Sequence, residues 1–462
     1  MRANGERVCR RTLPIAIAAG VLLSLATAVA IAKQWLLLGS LEGRWVYGYE
    51  YGAAPAVRLL FVVLLVSAVS VALLQITRPH PARRARDWLL VLMWIGAGLA
   101  LQAAVRSLTP FTLESLFVSD TANSFYGFSQ QYEAGDLLNR FNRVSSQAPW
   151  HARGNMPGKV MLVYALRQVT ERTDILPWLV VLVSNLGALL VYLFVRDLFD
   201  DRKLALYSAV LYLFLPAKLL FFPLMNTVTP VIVLASACIL LRWLATGRTL
   251  WALLLGASLY ALVFFEPLPL VIGLLFAALS LRAIALGQIA WNRYLAQAIV
   301  VVIAFAAIAE AVHSVTNFDL FAALGRISAH AAEFNATEAR PYDVWIVTNL
   351  EEFLFGLGAC QAVAFGGALL IALRGNATWR RFFVDPMATI CLGLLAVLIA
   401  VDLIGINRGE VSRLWIFLAC FFQIPAGYVC SQLNGRGAIG LVVTTSVLQV
   451  AVATAMIRFV VP

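Results

Sequence analysis

Long apolar runs, separated by short polar turns, recur from residue 13 to residue 458. The runs are continuous rather than alternating, so they predict helices and not half-buried strands. About 20 apolar residues make a helix long enough to cross the ~30 Å hydrocarbon layer of a bilayer. A closed β-barrel, the other spanning form, would alternate. Thirteen spans are expected, at 13–32, 57–77, 88–106, 176–195, 204–222, 228–245, 250–265, 268–286, 295–313, 353–373, 385–405, 412–431 and 438–458. The expected fold is an all-α polytopic membrane bundle with juxtamembrane helices on its external side.

Two longer segments, 107–175 and 314–352, break this rhythm. The first is polar up to about residue 156 but carries amphipathic pieces, Phe125-Tyr126-Gly127-Phe128 and Leu137-Leu138. It ends in an apolar stretch, PGKVMLVYALRQVT (157–170). About 14 helical residues reach only ~21 Å, too short to span, so this helix is placed at the membrane interface. The chain then divides into two N-terminal spans (1–87), a module of spans around the large loop (88–313), and a second loop with the C-terminal spans (314–462). No internal repeat is evident, which counts against an inverted-repeat transporter.

Composition agrees: 61% of residues are hydrophobic and 13% charged, where a soluble domain carries about 25% charged. The net charge of +11 invites a nucleic-acid reading, but its distribution points elsewhere. Arg2, Arg7, Arg10 and Arg11 precede the first span, and Arg78, Arg83, Arg84 and Arg86 follow the second. Further along, Arg196, Arg202, Lys203, Arg242, Arg248, Arg282, Arg293, Arg374, Arg380, Arg381 and Arg436 fall on the same side. That side holds 19 of the 35 basic residues and only six of the 24 acids. The positive-inside rule makes it cytoplasmic, with the N-terminus inside. No nucleic-acid partner is implied. The N-terminus resembles a signal peptide, but the 13–32 run exceeds a usual apolar core and reads as an uncleaved span. The six cysteines (9, 238, 360, 391, 420, 430) form no CxxC pair and suggest neither a disulfide framework nor zinc. Arginine outnumbers lysine 31 to 4 and alanine is abundant, as in a GC-rich bacterial genome, so a bacterial plasma membrane is the expected location.

Ionisable groups at membrane level are costly and are functional candidates by default. Here they collect at the external ends of spans, Lys218, Glu266, Glu310, His313, Asp402, Arg408, Glu410 and Arg413, with the polar Asn226 beside them. A transport path would want them near the midplane, so the layer favours an interfacial enzyme with a lipid-borne substrate. Asp120, in FVSDTANSFYGF, reads either as a helix N-cap or as a general base. In HARGNMPGK (151–159), Asn155 can cap a helix and Pro157 fits its first turn. The free N–H groups there, with His151, Arg153 and Lys159, form either a phosphate cradle or a loop on anionic headgroups. Glu410 and Arg413 are three apart and either pair with each other or leave Arg413 to clamp a phosphate. Asp402 reads as structural, and Glu351 and Glu352 as a solvated helix start. Asn335-Ala336-Thr337 matches a glycosylation sequon.

Taken in order, Ser119-Asp120, His151 to Lys159 with Met156-Pro157-Gly158, and Arg196-Asp197-Leu198-Phe199-Asp200-Asp201-Arg202 resemble the GT-C superfamily of membrane glycosyltransferases. Residues 211–230 and 251–275 are similar to the family's following span and hairpin, and the likeness covers roughly 88–286. Ser119 stands where many members have a second acid, and three expected spans rather than one precede the loop. The resemblance implies a polyprenyl-phosphate-linked sugar as donor, with a cell-envelope glycan, lipid or protein as acceptor on the external face. It implies Asp120 as catalytic base, and Arg153, Lys159 and Arg413 as holders of the leaving phosphate. His151, Lys218, Asn226, Glu266 and Glu410 complete the expected substrate-binding set, and a divalent metal is left open. A transporter or flippase, and an inactive scaffold of the same fold, are the competing readings.

Overall fold

The structure, a computed structural model, describes residues 2–50, 55–77, 87–375, 384–433 and 436–462, with side chains from residue 12 onward except that of 375. Cys9, the four N-terminal arginines, Arg78, Arg83, Arg84, Arg86, Arg380 and Arg381 lie outside the described side chains. Helices dominate, and the described strands are one short hairpin, Gly39–Ser40 against Trp45–Val46, plus an isolated bridge from Tyr49 to Ile457. Ten helices are long and apolar enough to cross a membrane, or eleven if a bent pair counts as one span. The protein is an all-α polytopic helical bundle.

The expected thirteen spans become ten or eleven for a local reason in each case. Thr249–Phe265 and Ile416–Gln432 are helices of 17 residues, about 26 Å long at the usual rise. The expected 353–373 span is two helices, Tyr342–Leu357 and Ala359–Arg374, bent by 100°. Gly358, at φ +101°, makes the break. The 204–222 run is also interrupted. The Arg202–Leu213 helix stops at Phe214, and Pro216, which cannot donate to the ladder behind it, opens a short helix to Leu220.

Helix starts follow their capping residues. Asp201, Asp319 and Asp385 accept from the backbone N–H groups of Leu204, Ala322 and Ala388 at 2.8 to 2.9 Å, the N-cap geometry that satisfies an otherwise orphaned donor. The Gly158–Arg167 helix has ten residues, about 15 Å, and is not among the spanning helices.

One continuous apolar core joins residues from Leu13 to Ile457, with Arg202–Leu220 at its centre and almost wholly buried. A second, smaller core lies in the large loop. Phe117, Phe128, Phe141, Met156 and Val163 pack there against Met225, Val263, Phe265 and Phe318. The loop is therefore a folded cap on one end of the bundle rather than a linker.

Candidate functional site

The helix Tyr342–Leu357 fastens the turn that follows the Pro386–Ile404 span. Asn349 Nδ2 donates to the Asn407 carbonyl at 3.0 Å and to Asp402 Oδ1 at 3.2 Å, and Asn349 Oδ1 accepts from Gly409 N at 3.1 Å. Glu352 Oε2 accepts from Val411 N at 3.0 Å, and the Glu352 carbonyl accepts from Ser412 Oγ at 2.6 Å. These contacts hold the backbone in a shape it would otherwise avoid. Gly409 (φ +90°) and Glu410 (φ +58°) are both left-handed, a conformation costly for a residue with a Cβ. At Gly409 a Cβ would also lie 2.8 Å from the buried Trp345 ring. The reading of Glu352 as a solvated helix start is thus overturned: it is fully buried because its carboxylate caps this turn. Glu351 is exposed. Asp402 has the structural role expected of it.

Above the turn opens a cavity of about 160 Å³. Its lining includes His151, His330, Arg340, Arg408, Glu410 and Arg413. Three guanidiniums therefore face a single lining carboxylate. Glu410 and Arg413 do form the expected i,i+3 ion pair, yet Arg413 Nε stays buried without a partner. Arg408 donates through Nη1 to the Arg340 carbonyl at 2.7 Å, and Arg340 through Nη1 to the Arg408 carbonyl at 2.5 Å. This reciprocal clamp ties the two arginines to each other's backbone. Asn335, also lining the cavity, is buried and donates to the Ile406 carbonyl at 3.0 Å, so the sequon's acceptor nitrogen points into the protein rather than to solvent.

His151 ties the cavity to the turn that carries Asp120. Its Nε2 lies 2.8 Å from the Thr121 carbonyl, and its backbone N–H donates to Ser124 Oγ at 3.3 Å. Burial, then the Arg413 charge, pushes the imidazole down to about 4, so it is neutral at physiological pH. Asp120 is exposed, in the turn between the Leu113–Val118 and Phe125–Ser129 helices, with its carboxylate lying against Gly127. The N-cap reading does not hold, because the cap of the Phe125–Ser129 helix is Ser124. Arg153 is half-buried with an unpartnered Nε, and its charge helps hold His330 below the ordinary imidazole range, after burial.

The rest of HARGNMPGK turns inward. Asn155 is not the cap of the Gly158–Arg167 helix; Pro157 occupies that position. Asn155 instead donates to the His151 carbonyl and accepts from Lys159 Nζ, both at 2.7 Å. Lys159 is 1% exposed and pairs with Glu266 Oε2 at 3.2 Å. The same carboxylate accepts from Asn226 Nδ2 at 3.2 Å and Thr229 Oγ1 at 2.5 Å. Burial lowers the Lys159 ammonium while Glu266 opposes it. Gly158 makes the approach possible, since a Cβ there would lie 2.6 Å from the Phe264 carbonyl oxygen.

Lys218 stands apart again. Fully buried among the spans, it donates to Asn185 Oδ1 at 2.7 Å and sits 4.1 Å from the Tyr212 ring centroid. Asn185 is bonded in turn to Gln102 at 2.8 Å. Most of the single layer of polar groups expected from sequence thus divides among three sites, while Glu310 accepts from Ser314 Oγ and His313 Nδ1 lies 3.2 Å from the Phe318 carbonyl. His151, Glu410 and Arg413 share the cavity. Lys159, Asn226 and Glu266 form a closed node. Lys218 joins a core network that lines none of this cavity.

Sequence reasoning missed Arg340. The available signal was an arginine directly before Pro341, outside the basic loops. No three His, Cys, Asp or Glu side chains gather into a metal-binding group among the described residues. Comparison with family models and with curated proteins finds no match to this chain.

Proposed function

We propose that the protein is a membrane glycosyltransferase that moves a sugar from a polyprenyl-phosphate donor to a cell-envelope glycan, lipid or protein. The observation that carries this reading is the junction of two unlike features. An arginine-lined cavity at the loop-bearing end of the bundle is joined, through His151 and the Thr121 carbonyl, to the turn that carries the exposed Asp120. In the reaction, an acceptor hydroxyl attacks the anomeric carbon of the sugar. Its proton passes to Asp120, the bond from the anomeric carbon to the phosphate oxygen breaks, and the polyprenyl phosphate departs. Fixed guanidiniums on Arg408 and Arg413 stabilise the charge that develops on the leaving phosphate. Lys159, Glu266 and Asn226 position the loop, and no ligand contact is assigned to them.

This reading places the cavity on the external face of a bacterial plasma membrane, with the N-terminus inside. Its sharpest test is Asp120→Asn in membranes supplied with a panel of radiolabelled polyprenyl-phosphate sugars. Loss of a general base lowers turnover by about 10²–10⁴-fold, and the exposed position predicts no loss of folded protein. Unchanged transfer by the variant removes Asp120 from the chemistry. Translocation of a labelled lipid without sugar transfer by the wild type replaces the enzyme reading with a flippase.

A further inference from the structure

Arg340 is held more completely than any other cation lining the cavity. It is 5% exposed. Its guanidinium lies 4.6 Å from the Phe334 ring centroid, 5.3 Å from Trp45 and 5.7 Å from Trp345. These rings come from three separate segments: the helix Leu320–Thr337, the hairpin between the first two long helices, and the helix Tyr342–Leu357. The hairpin is itself anchored, since Trp345 Nε1 donates to the Gly43 carbonyl at 3.2 Å. A cation enclosed by aromatic faces keeps its charge while losing its freedom to reorient.

What this enclosure leaves undone is informative. Arg340 Nη1 is occupied by the Arg408 carbonyl, but Nε is buried with no partner. Beside it Arg408 presents a second guanidinium fixed by the Arg340 and Gly405 carbonyls at 2.7 and 3.3 Å. The two arginines bind each other's backbone rather than a carboxylate, while the Glu410, Glu338 and Glu352 charges act on Arg340 from further off. The cavity is smaller than the ~300–1,000 Å³ typical of whole-ligand pockets, so as built it suits a compact anionic head.

We propose that Arg340 is the principal phosphate-binding residue of the cavity and that Trp45, reaching over from the N-terminal hairpin, is its positioning residue. The ligand class is a lipid phosphate monoester, whose oxygens match the planar donor fork of arginine. This assignment rests on the glycosyltransferase reading for the lipid, and on the geometry alone for the phosphate.

The test is direct binding to the full chain in nanodiscs, with farnesyl phosphate as the probe and farnesol and inorganic phosphate as comparison arms. Wild type is expected to bind farnesyl phosphate in preference to both. Arg340→Lys keeps the charge but loses the fork, and should weaken binding by about tenfold or more. Trp45→Leu should weaken it comparably, and Trp45→Phe, which keeps a ring, should restore most of it. Thermal unfolding of each variant shows whether the fold is kept, and the Phe rescue separates positioning from general damage. Wild-type affinity in both Arg340→Lys and Trp45→Leu overturns this inference while leaving the enzyme reading intact. Equal binding of farnesol and farnesyl phosphate by the wild type overturns both. Binding of inorganic phosphate as tight as farnesyl phosphate overturns the lipid as ligand.

Discussion

Lys159 and Arg340 are both buried cations at the loop-bearing end of the bundle, and they are built in opposite ways. Lys159 meets a carboxylate inside the protein, and that carboxylate is itself bonded to Asn226 and Thr229. Arg340 meets aromatic faces and a carbonyl, with an N–H left over. The first arrangement is closed and needs nothing further. The second leaves one buried N–H without a partner in a residue that lines the cavity. The lesson is that a basic residue in a membrane protein is read by its partners, not by its charge.

The contrast can be broken most forcefully at its closed half. Glu266→Ala leaves the Lys159 ammonium buried without a counter-charge, which should cost about 3–5 kcal/mol of stability. Lys159→Met combined with Glu266→Gln should recover most of that loss, because the charge is gone and Asn226 and Thr229 keep an acceptor. Thermal unfolding in nanodiscs checks both, and a single variant as stable as wild type would show the node to be dispensable.

A smaller effect sharpens the open half. His151 is held at about 4 in the folded protein, by burial and then by Arg413, against about 6.5 when unfolded. The unfolded chain therefore binds this proton more readily. The stability contributed by neutral His151 is whole above pH 6.5 and is lost as pH falls through about 4. The unfolding midpoint of wild type should drop over that window relative to His151→Gln. Parallel pH profiles of the two proteins would assign the acid sensitivity elsewhere.

The smallest effect is expected at Lys218, which belongs to neither half. Its ammonium meets one amide and two rings, Tyr212 and Phe222, and no carboxylate among the described residues. Lys218→Met is close in shape, and removing a buried charge of this kind is often neutral or stabilising. Sugar transfer and the unfolding midpoint should both stay near wild type. Loss of transfer with an unchanged midpoint would return Lys218 to the substrate path.

Several parts of this arrangement were legible beforehand. Apolar run length marked the spans, and a 14-residue stretch was too short to be one. Asp120, His151 and Arg413 stood out as polar groups in an apolar chain, and pairing of Glu410 with Arg413 was one of the two readings their spacing allowed. Misplaced expectations failed where the partner is distant in sequence. Glu352 looked solvated until the 405–412 turn folded onto it. Asn155 looked like a cap until Lys159 claimed its side chain.

By itself, then, the sequence determined the all-helical membrane bundle and the loop that carries its unusual polar groups, because hydrophobic burial and local spacing act within a few turns of chain. Only the tertiary structure decided which cations meet an internal carboxylate and which line the cavity. Lys159 finds Glu266 across 107 positions and Arg340 finds Arg408 across 68. At such separations it is packing, not local pattern, that sets where a buried charge meets its counterpart.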